Sequence, residues 1–279
     1  MPELAEVYHF ASKWIAALPL SIKNAKLRSS SRVFRQANPK ALANALRKST
    51  LTAGATHGKW MAFQVGSKGT LRGIMSIHLG MTGRLLCPSD SPMLKLQHGP
   101  AVKNDYIQLL LADEQGRDWC FADARLFGLV RWQPNITLEQ WLEKRSTQAH
   151  ELTWPEFQAI LIARKGLTAK AFLLNQDICP GVGNWMADEI LWQSKLPPAV
   201  KLALLSSEQR RRLWNKVRSV SKQALLRIGE KGLDPPSSWL FGHRWKPGFN
   251  CPRCKRTLSR RTIAGRTTCW CSDCQKDLA

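Results

Sequence analysis

Hydrophobic positions along the chain follow two different periods, and the change between them falls near residue 134. Residues 3–17 have helical spacing, and short apolar runs bounded by Gly, Ser and Pro follow them, which is typical of β-strands. Beyond residue 134 the apolar residues recur every three or four positions, which predicts helices. The predicted strands are IKNAKLRSS, KWMAFQV, IMSIHLG, DYIQLLLA, DWCFAD and LVRWQP, and the predicted helices are TLEQWLEKR, WPEFQAILIA, TAKAFLLNQ, NWMADEILWQS and EQRRRLWNKVRSVSKQALLRIG. We therefore expect a sheet-rich domain at 1–134 with a leading helix, and a helical domain at 150–230.

The C-terminal segment, 249–279, follows a Pro- and Gly-rich connector and contains five of the eight cysteines. CPRC and CSDC are two CxxC pairs, and thiolates at this spacing are typical zinc ligands. The residues between the pairs alternate around a Gly-centred turn, which predicts a β-hairpin with the metal at its base. Cys269 competes with Cys271 for the metal, but the CxxC spacing favours Cys271 and leaves Cys269 to pack inside the hairpin. We expect one structural Zn2+ bound by four thiolates, which are those of Cys251, Cys254, Cys271 and Cys274.

The net charge adds a prediction about binding partners, because 42 Lys and Arg residues against 20 Asp and Glu residues give +22 at pH 7. The excess is dispersed over the chain, as expected for a folded protein with a basic face. Such a face predicts a polyanion partner, most commonly nucleic acid, although charge that only keeps the protein in solution is an alternative. The sequence contains no apolar stretch long enough to cross a membrane and no secretory signal. We therefore expect no membrane association and a cytoplasmic, nucleoid-associated protein without a targeting signal.

Three loop motifs combine glycine with residues that suit contact with a ligand. GVGN at 181–184 lies between two predicted helices, where glycines allow close approach and free N–H groups attract an anion. A plain turn between two helices, with an Asn cap and no ligand, is the alternative. HLGMTG and DARLFG each follow a predicted strand. By residue type alone Met81 and Phe127 are core residues, whereas Arg125 is expected to be exposed.

The first residues, MPELAEV, place a proline beside two glutamates. Methionine before a small residue is normally removed, so we expect a mature chain that begins at Pro2, with a free secondary amine beside Glu3. An α-amino group titrates near neutrality, with a pKa of about 7.7–8.0 in model compounds, so part of it is unprotonated at physiological pH. Glu6 lies one helical turn beyond Glu3, where it orients this site or serves only as a favourable charge at a helix start.

Taken together, these motifs resemble the formamidopyrimidine-DNA glycosylase/endonuclease VIII family of base-excision repair enzymes. The resemblance spans essentially the whole chain and keeps the order of five features, which are the PE start, a lysine before a strand (HGKWMAF), the HLGM and D-x-R-x-F-G loops, the GVGN turn and the terminal zinc finger. It implies an α+β multidomain fold with an N-terminal β-sandwich and flanking helices, a helix–two-turn–helix domain and a C-terminal zinc β-hairpin, with DNA in the cleft between the domains. It also implies a bifunctional DNA glycosylase and AP lyase that acts as a monomer on double-stranded DNA containing a damaged base or an abasic site.

The resemblance further implies roles for individual residues. Pro2 would form a Schiff base with C1′ of the damaged nucleotide, and Glu3 would be the acid/base group that assists sugar opening. By position alone, Lys59 is a solvated residue at the edge of a sheet, whereas the resemblance implies that it donates a proton in β-elimination. Arg266 would bind the phosphates that flank the lesion and assist δ-elimination. The other matches are DNA contacts, with His78, Lys170 and Asn184 at the backbone and Met81, Arg125 and Phe127 in the gap left by the everted lesion.

Departures from the family pattern bear on which damaged base the protein prefers. Ala5, Ala124 and Leu126 replace the usual Pro, Pro and Arg, and Asn104 stands where a basic or histidine contact is expected. The compact segment before the finger is more like endonuclease VIII, which prefers oxidised pyrimidines, whereas the wedge loops are more like the formamidopyrimidine branch. Oxidised pyrimidines and the formamidopyrimidine/8-oxoguanine class both stay open, with pyrimidines slightly favoured. The alternative function is a catalytically inactive, zinc-dependent damaged-DNA-binding protein, which the retained catalytic residues disfavour.

Overall fold

The computed structural model describes residues 1–90 and 104–276, and the chain divides into two compact units. The first unit comprises Met1–Pro2 and Glu6–Arg145. The second comprises Glu3–Ala5 and the chain from Ser146 onward. In the described ranges, no helix is both long enough and apolar enough to cross a lipid bilayer.

A single antiparallel sheet forms the framework of the first unit. Its strands, among the described residues, are β1 (Leu20–Leu27), β2 (Ser49–His57), β3 (Trp60–Ser67), β4 (Thr70–His78), β5 (Arg84–Leu86), β6 (Ile107–Asp113), β7 (Asp118–Ala122) and β8 (Leu129–Pro134). They pair in the order β5-β7-β6-β1-β2-β3-β4-β8. The helices of this part of the chain are α1 (Leu4–Ile15), α2 (Pro39–Leu46) and α3 (Leu138–Glu143).

Bulges let this sheet curve around one core. The register shifts after Ile22 in β1 and after Leu51 in β2, and an extra residue at such a point bends a strand. Phe121 on β7 and Val130 on β8, from opposite ends of the strand order, therefore belong to the same buried cluster, which also contains Trp14 of α1. The first unit is the β-sandwich with flanking helices that the resemblance implied.

The second unit is built around a buried central helix. Its helices are α4 (Trp154–Ala163), α5 (Ala169–Leu174), α6 (Asn184–Ser194) and α7 (Ser207–Ala224), and a π-helical stretch at Leu225–Glu230 continues the last one. The helix–two-turn–helix consists of α5, the turn at 175–183 and α6. All residues of α6 from 185 to 192 are buried, including Asp188 and Glu189. Buried carboxylates are costly unless they are bonded, so these two require internal partners.

A two-stranded hairpin ends the described chain. Strands β9 (Ser259–Ile263) and β10 (Arg266–Trp270) pair antiparallel, and β10 packs against α6. Ala264 and Gly265 connect them with φ values of +51° and +69°. Positive φ at both central residues gives the turn the twist that a two-residue hairpin needs. The predicted β-hairpin is therefore confirmed.

Candidate functional site

The carboxylate of Glu3 lies at the start of α6, inside the second unit. Glu3 is only 2% exposed, and its oxygens accept the backbone N–H groups of Gly183 at 2.8 Å, Trp185 at 2.9 Å and Met186 at 3.1 Å. A helix leaves such donors unsatisfied in its first turn, where its dipole also favours an anion. The anion held by the GVGN turn is therefore the chain's own Glu3.

Two glycines of this turn make room for the carboxylate. Gly181 has a φ of +87°, and its carbonyl accepts the N–H of Leu4 at 3.0 Å, which fixes the Glu3 segment against the turn. A Cβ at Gly183 would lie 2.2 Å from Cδ of Glu3. Only glycine leaves enough space at this position.

Lys170 lies on α5 and is fully buried. Its Nζ donates to the carboxylate of Asp188 and, at 3.0 Å, to the carbonyl of Asn184. Burial lowers the pKa of Lys170, and the negative charge of Asp188 opposes that effect. An ammonium that is enclosed and paired in this way does not reach a DNA phosphate. The structure thus gives Lys170 an internal role in place of the predicted backbone contact.

Asp188 is the centre of this buried group. Besides Lys170, its carboxylate accepts Nη2 of Arg244 at 2.6 Å and the backbone N–H of Cys269 at 3.1 Å. Arg244 is 6% exposed and lies in the connector before the hairpin. One carboxylate therefore joins α5, α6, the connector and β10. Neither Asp188 nor Arg244 was predicted as a site residue, although an acidic residue within the apolar stretch NWMADEILWQS was an available signal.

Asn184 connects the start of α6 with the hairpin. Its side-chain amide donates to the carbonyl of Thr267 at 2.8 Å. Thr267 follows Arg266, which is exposed and donates through Nη1 to the carbonyl of Gly265 at 3.3 Å. Asn184 and Arg266, two of the predicted phosphate contacts, therefore lie next to each other in the second unit.

The HLGMTG and DARLFG loops of the first unit are tied together by Asp123. This buried carboxylate accepts the hydroxyl of Thr82 at 2.6 Å, the N–H of Arg125 at 3.2 Å and the N–H of Gly128 at 2.7 Å. The sequence alone gives no role to Asp123, the first residue of the D-x-R-x-F-G motif. Its bonds show that it fixes both loops.

The large side chains of these loops face outward. Met81 and Phe127 are each 42% exposed, and Cζ of Arg125 lies 4.8 Å from the centre of the Phe127 ring. Their exposure contradicts the alternative in which Met81 and Phe127 fill the core. The loops present two apolar side chains and a guanidinium together.

His78, at the end of β4, lies among cations of the first unit. Burial, followed by the charges of Lys59, Arg131 and Arg35, lowers the pKa of His78 from 6.5 to about 4. Its Nδ1 accepts the N–H of Gly80 at 3.0 Å. A neutral imidazole has one donor and one acceptor, so the proton is on Nε2 and can be donated.

The four cysteines of the two CxxC pairs converge. Their sulfurs lie within 4.8 Å of one another, with 3.9 Å between Sγ of Cys251 and Cys274 and 3.4 Å between Sγ of Cys254 and Cys271. A tetrahedral ion with bonds of about 2.3 Å places its sulfurs about 3.8 Å apart, so the four thiols fit one metal ion. Cys269 is buried but does not belong to this group.

The remaining predicted site residues are Pro2 and Lys59, both in the first unit. Pro2 is half-buried and is joined to Glu3 by one peptide bond, and Lys59 is 8% exposed, just before β3. The first unit contains Pro2, Lys59, His78, Met81, Arg125 and Phe127. The second contains Glu3, Lys170, Asn184, Arg266 and the four clustered cysteines.

Comparison with known proteins gives the same assignment for both halves of the chain. Residues 1–130 match the formamidopyrimidine-DNA glycosylase N-terminal domain, and residues 146–234 match the formamidopyrimidine-DNA glycosylase H2TH domain. The chain is 27% identical over 284 residues to the formamidopyrimidine-DNA glycosylase of Solibacter usitatus, covering 99% of this chain and 100% of that one.

Solved structures share the fold. The Lactococcus lactis enzyme bound to DNA containing an oxidised pyrimidine has a TM-score of 0.78 at 20% identity, over 99% of this chain and 100% of that one. The same enzyme bound to DNA containing N7-benzyl-Fapy-dG has a TM-score of 0.78 at 21% identity, with the same coverage. Because both domain models match in order and together span most of its length, this chain belongs to the formamidopyrimidine-DNA glycosylase/endonuclease VIII family of base-excision repair DNA glycosylases.

Proposed function

We propose that this chain excises oxidised bases and cleaves the resulting abasic strand, with the amine of Pro2 as nucleophile. The observation that carries the proposal is the Glu3 carboxylate, which is buried, held by three backbone N–H groups and placed directly after Pro2. A nucleophile needs a group that takes its proton, and a fixed carboxylate one residue away is suited to that task. The proposal requires removal of Met1, which intact-mass measurement checks directly.

Glu3 begins the reaction in the ionised form, since three N–H donors and the helix dipole favour its negative charge. It accepts one proton from the Pro2 ammonium, and the freed nitrogen attacks C1′ of the damaged nucleotide. The N-glycosidic bond breaks, and its electron pair leaves with the base, which takes the second proton of the former ammonium. The proton on Glu3 then passes to O4′ as the C1′–O4′ bond opens.

Ring opening leaves an iminium between Pro2 and C1′, because a secondary amine cannot give a neutral imine. This cation withdraws electrons and acidifies the C2′ proton. Water takes that proton, the C–H electron pair forms the C2′–C3′ double bond, and the 3′ phosphate leaves in β-elimination. A second elimination expels the 5′ phosphate. Lys59 serves these steps as the proton donor, and Arg266 supports the second one as a cation beside the flanking phosphate.

The DNA contacts follow from the positions of the donors and the loops. The Nε2–H of His78, the exposed Arg266 and the amide of Asn184 bind phosphates, which position the strand. Met81, Arg125 and Phe127 enter the gap that the everted nucleotide leaves, where apolar and guanidinium groups replace lost stacking. The thiolates of Cys251, Cys254, Cys271 and Cys274 would hold zinc, whose filled coordination shell stabilises the hairpin that carries Arg266.

The substrate class is oxidised bases. The Lactococcus lactis relative was solved with DNA containing an oxidised pyrimidine and with DNA containing a formamidopyrimidine derivative, so related sites accept both classes. The compact connector of this chain favours oxidised pyrimidines.

Strand cleavage on a panel of duplexes tests the proposal. Tag-free protein is incubated with end-labelled duplexes that contain dihydrouracil, 8-oxoguanine, an abasic site or no damage, and a version with an uncleaved N-terminal extension is the matched control. We expect the tag-free protein to cleave the abasic duplex and at least one lesion duplex, and the extended protein to bind the abasic duplex without cleaving it. Equal cleavage by both proteins would contradict the role of Pro2. Tight binding without cleavage by both would favour the inactive DNA-binding protein.

A further inference from the structure

A row of alternating charges crosses the second unit and ends near Glu3. Arg244 donates to Asp188 at 2.6 Å, and Asp188 in turn accepts from Lys170. The side chains of Lys170 and Asp188 are completely buried, and that of Arg244 is 6% exposed. Burying three charges requires mutual compensation, which this order of signs provides. Salt does not screen such an enclosed row as it screens surface ions.

One peptide group links this row to Glu3. Nζ of Lys170 donates to the carbonyl oxygen of Asn184 at 3.0 Å. The N–H of the same peptide group belongs to Trp185 and donates to Oε1 of Glu3 at 2.9 Å. An ammonium on the oxygen of a peptide polarises it and strengthens its N–H as a donor. Lys170 therefore acts on Glu3 through a bonded path, and its Nζ lies at most roughly 8 Å from the carboxylate, given ordinary peptide dimensions.

We propose that Lys170 and Asp188 are positioning residues for Glu3, which keep its carboxylate ionised and fixed at the start of α6 so that it begins the reaction as a base. Asp188 maintains the charge of Lys170, and Lys170 stabilises the negative charge of Glu3 through the Asn184–Trp185 peptide. The proposal rests on the proposed function, in which Glu3 takes a proton from Pro2.

The charges around Glu3 determine the sign of the effect. Within the second unit these charges come from α5, α6 and the connector, and the groups are Lys170, Asp188 and Arg244. Burial lowers the pKa of Lys170, and Asp188 and Glu3 both oppose this effect. A cation favours the charged form of a carboxylate, so removing Lys170 raises the pKa of Glu3.

The test compares Lys170→Met, Asp188→Asn and the double variant with wild type. Carbon-13 NMR of labelled glutamate carboxyls, assigned with Glu3→Gln, follows the titration of Glu3 in the full-length protein. Single-turnover formation of the covalent adduct with abasic DNA gives the acidic limb of the pH–rate profile. Glu208→Gln is the matched control, because it removes an exposed ion pair with Arg212 on α7.

We expect both readouts to move to higher pH in Lys170→Met and in Asp188→Asn, without a further rise in the double variant, and not at all in Glu208→Gln. Lys170→Met also covers the case in which Asp188→Asn destabilises the protein, since it keeps the buried pair of Asp188 with Arg244. Variants that fold, retain zinc and titrate Glu3 at the wild-type pH would overturn the inference. Absence of a covalent adduct in wild type would instead contradict the proposed function, and the NMR titration would still decide the inference.

Discussion

Replacement of Gly183 by alanine should remove Glu3 from its site without a direct change to the carboxylate. The backbone at Gly183, with φ −117° and ψ −156°, is open to any residue, so strain in the main chain contributes nothing. The added Cβ would lie 2.2 Å from Cδ and 2.4 Å from Oε1 of Glu3, whereas ordinary contact begins at 3.4 Å. The carboxyl group must therefore retreat by more than about 1 Å.

The magnitude follows from the bonds that this movement breaks. Glu3 makes three bonds to backbone N–H groups, and each charged hydrogen bond contributes about 1.5–3 kcal/mol net. Loss of one or two of them lowers the free energy of unfolding by about 3 kcal/mol. A misplacement of 1 Å at a reacting group slows chemistry by on the order of 100-fold.

A double-mutant cycle with Glu3→Ala isolates the cause. Denaturant unfolding gives the free energies, and single-turnover adduct formation gives the rates. We expect Gly183→Ala to be costly in the wild-type background and nearly neutral in the Glu3→Ala background, where the clash no longer exists. An equal cost in both backgrounds would show that the clash with Glu3 is not the cause, as would a Gly183→Ala protein with wild-type stability and rate.

Three further predictions concern other parts of the molecule. The pKa of His78 is lowered from 6.5 to about 4 in the folded protein. As the pH falls, His78 therefore takes up a proton in the unfolded chain before it does so in the folded chain. About 3 kcal/mol of stability that is present above pH 6.5 is lost towards pH 4. Denaturant unfolding across this range should show a flatter profile for His78→Gln, and identical profiles would contradict the shift. Removal of the metal by a chelator should unfold the hairpin and weaken binding to abasic DNA, with one zinc per chain recovered by elemental analysis; full binding by metal-free protein would contradict the structural role. The double variant Met81→Ala/Phe127→Ala should slow base release from duplex DNA on the order of tenfold or more but leave cleavage of a single-stranded abasic substrate unchanged. Equal slowing on both substrates would argue against a role of these side chains in the gap left by the everted nucleotide.

Local sequence patterns predicted the strands and helices whose apolar residues form clear runs or recur at a regular spacing. Strands β3, β4, β6, β7 and β8, together with helices α4 to α7, agree with the apolar patterns. Strand β2 was not predicted, because STLTAGATH consists mostly of small and polar residues and only two of its nine residues are buried. Its place between β1 and β3 comes from long-range pairing, which a local pattern does not encode. The short β5 and helix α2 were missed as well.

The residues of the candidate site likewise differ in how well local sequence patterns predicted them. The CxxC spacing contained enough information to select four converging cysteines and to leave out Cys269. Residue type alone favoured the core for Met81 and Phe127, and the resemblance, not the pattern, indicated their exposure. The buried position of Lys170 was unpredictable from its own surroundings, because its partner Asp188 lies 18 residues away on another helix.

The free N–H groups of the GVGN turn were predicted to attract an anion, but the sequence did not indicate which one. The answer lies at the other end of the numbering, since Glu3 and Gly183 are separated by 180 residues. Glu3 follows the predicted nucleophile Pro2 in the sequence, and only folding brings the carboxylate of Glu3 to the start of α6. This contact joins the PE start and the GVGN turn into one chemical proposal.

The most direct test of that proposal is borohydride trapping followed by peptide mass spectrometry. Tag-free protein and a protein with a blocked N-terminus are mixed with an abasic duplex in the presence of borohydride, which reduces an iminium to a stable amine. We predict a covalent complex only with the tag-free protein, with the modified sugar on the peptide that begins at Pro2. A complex attached to a lysine, or no complex despite tight binding to the same duplex, would contradict the central role of Pro2.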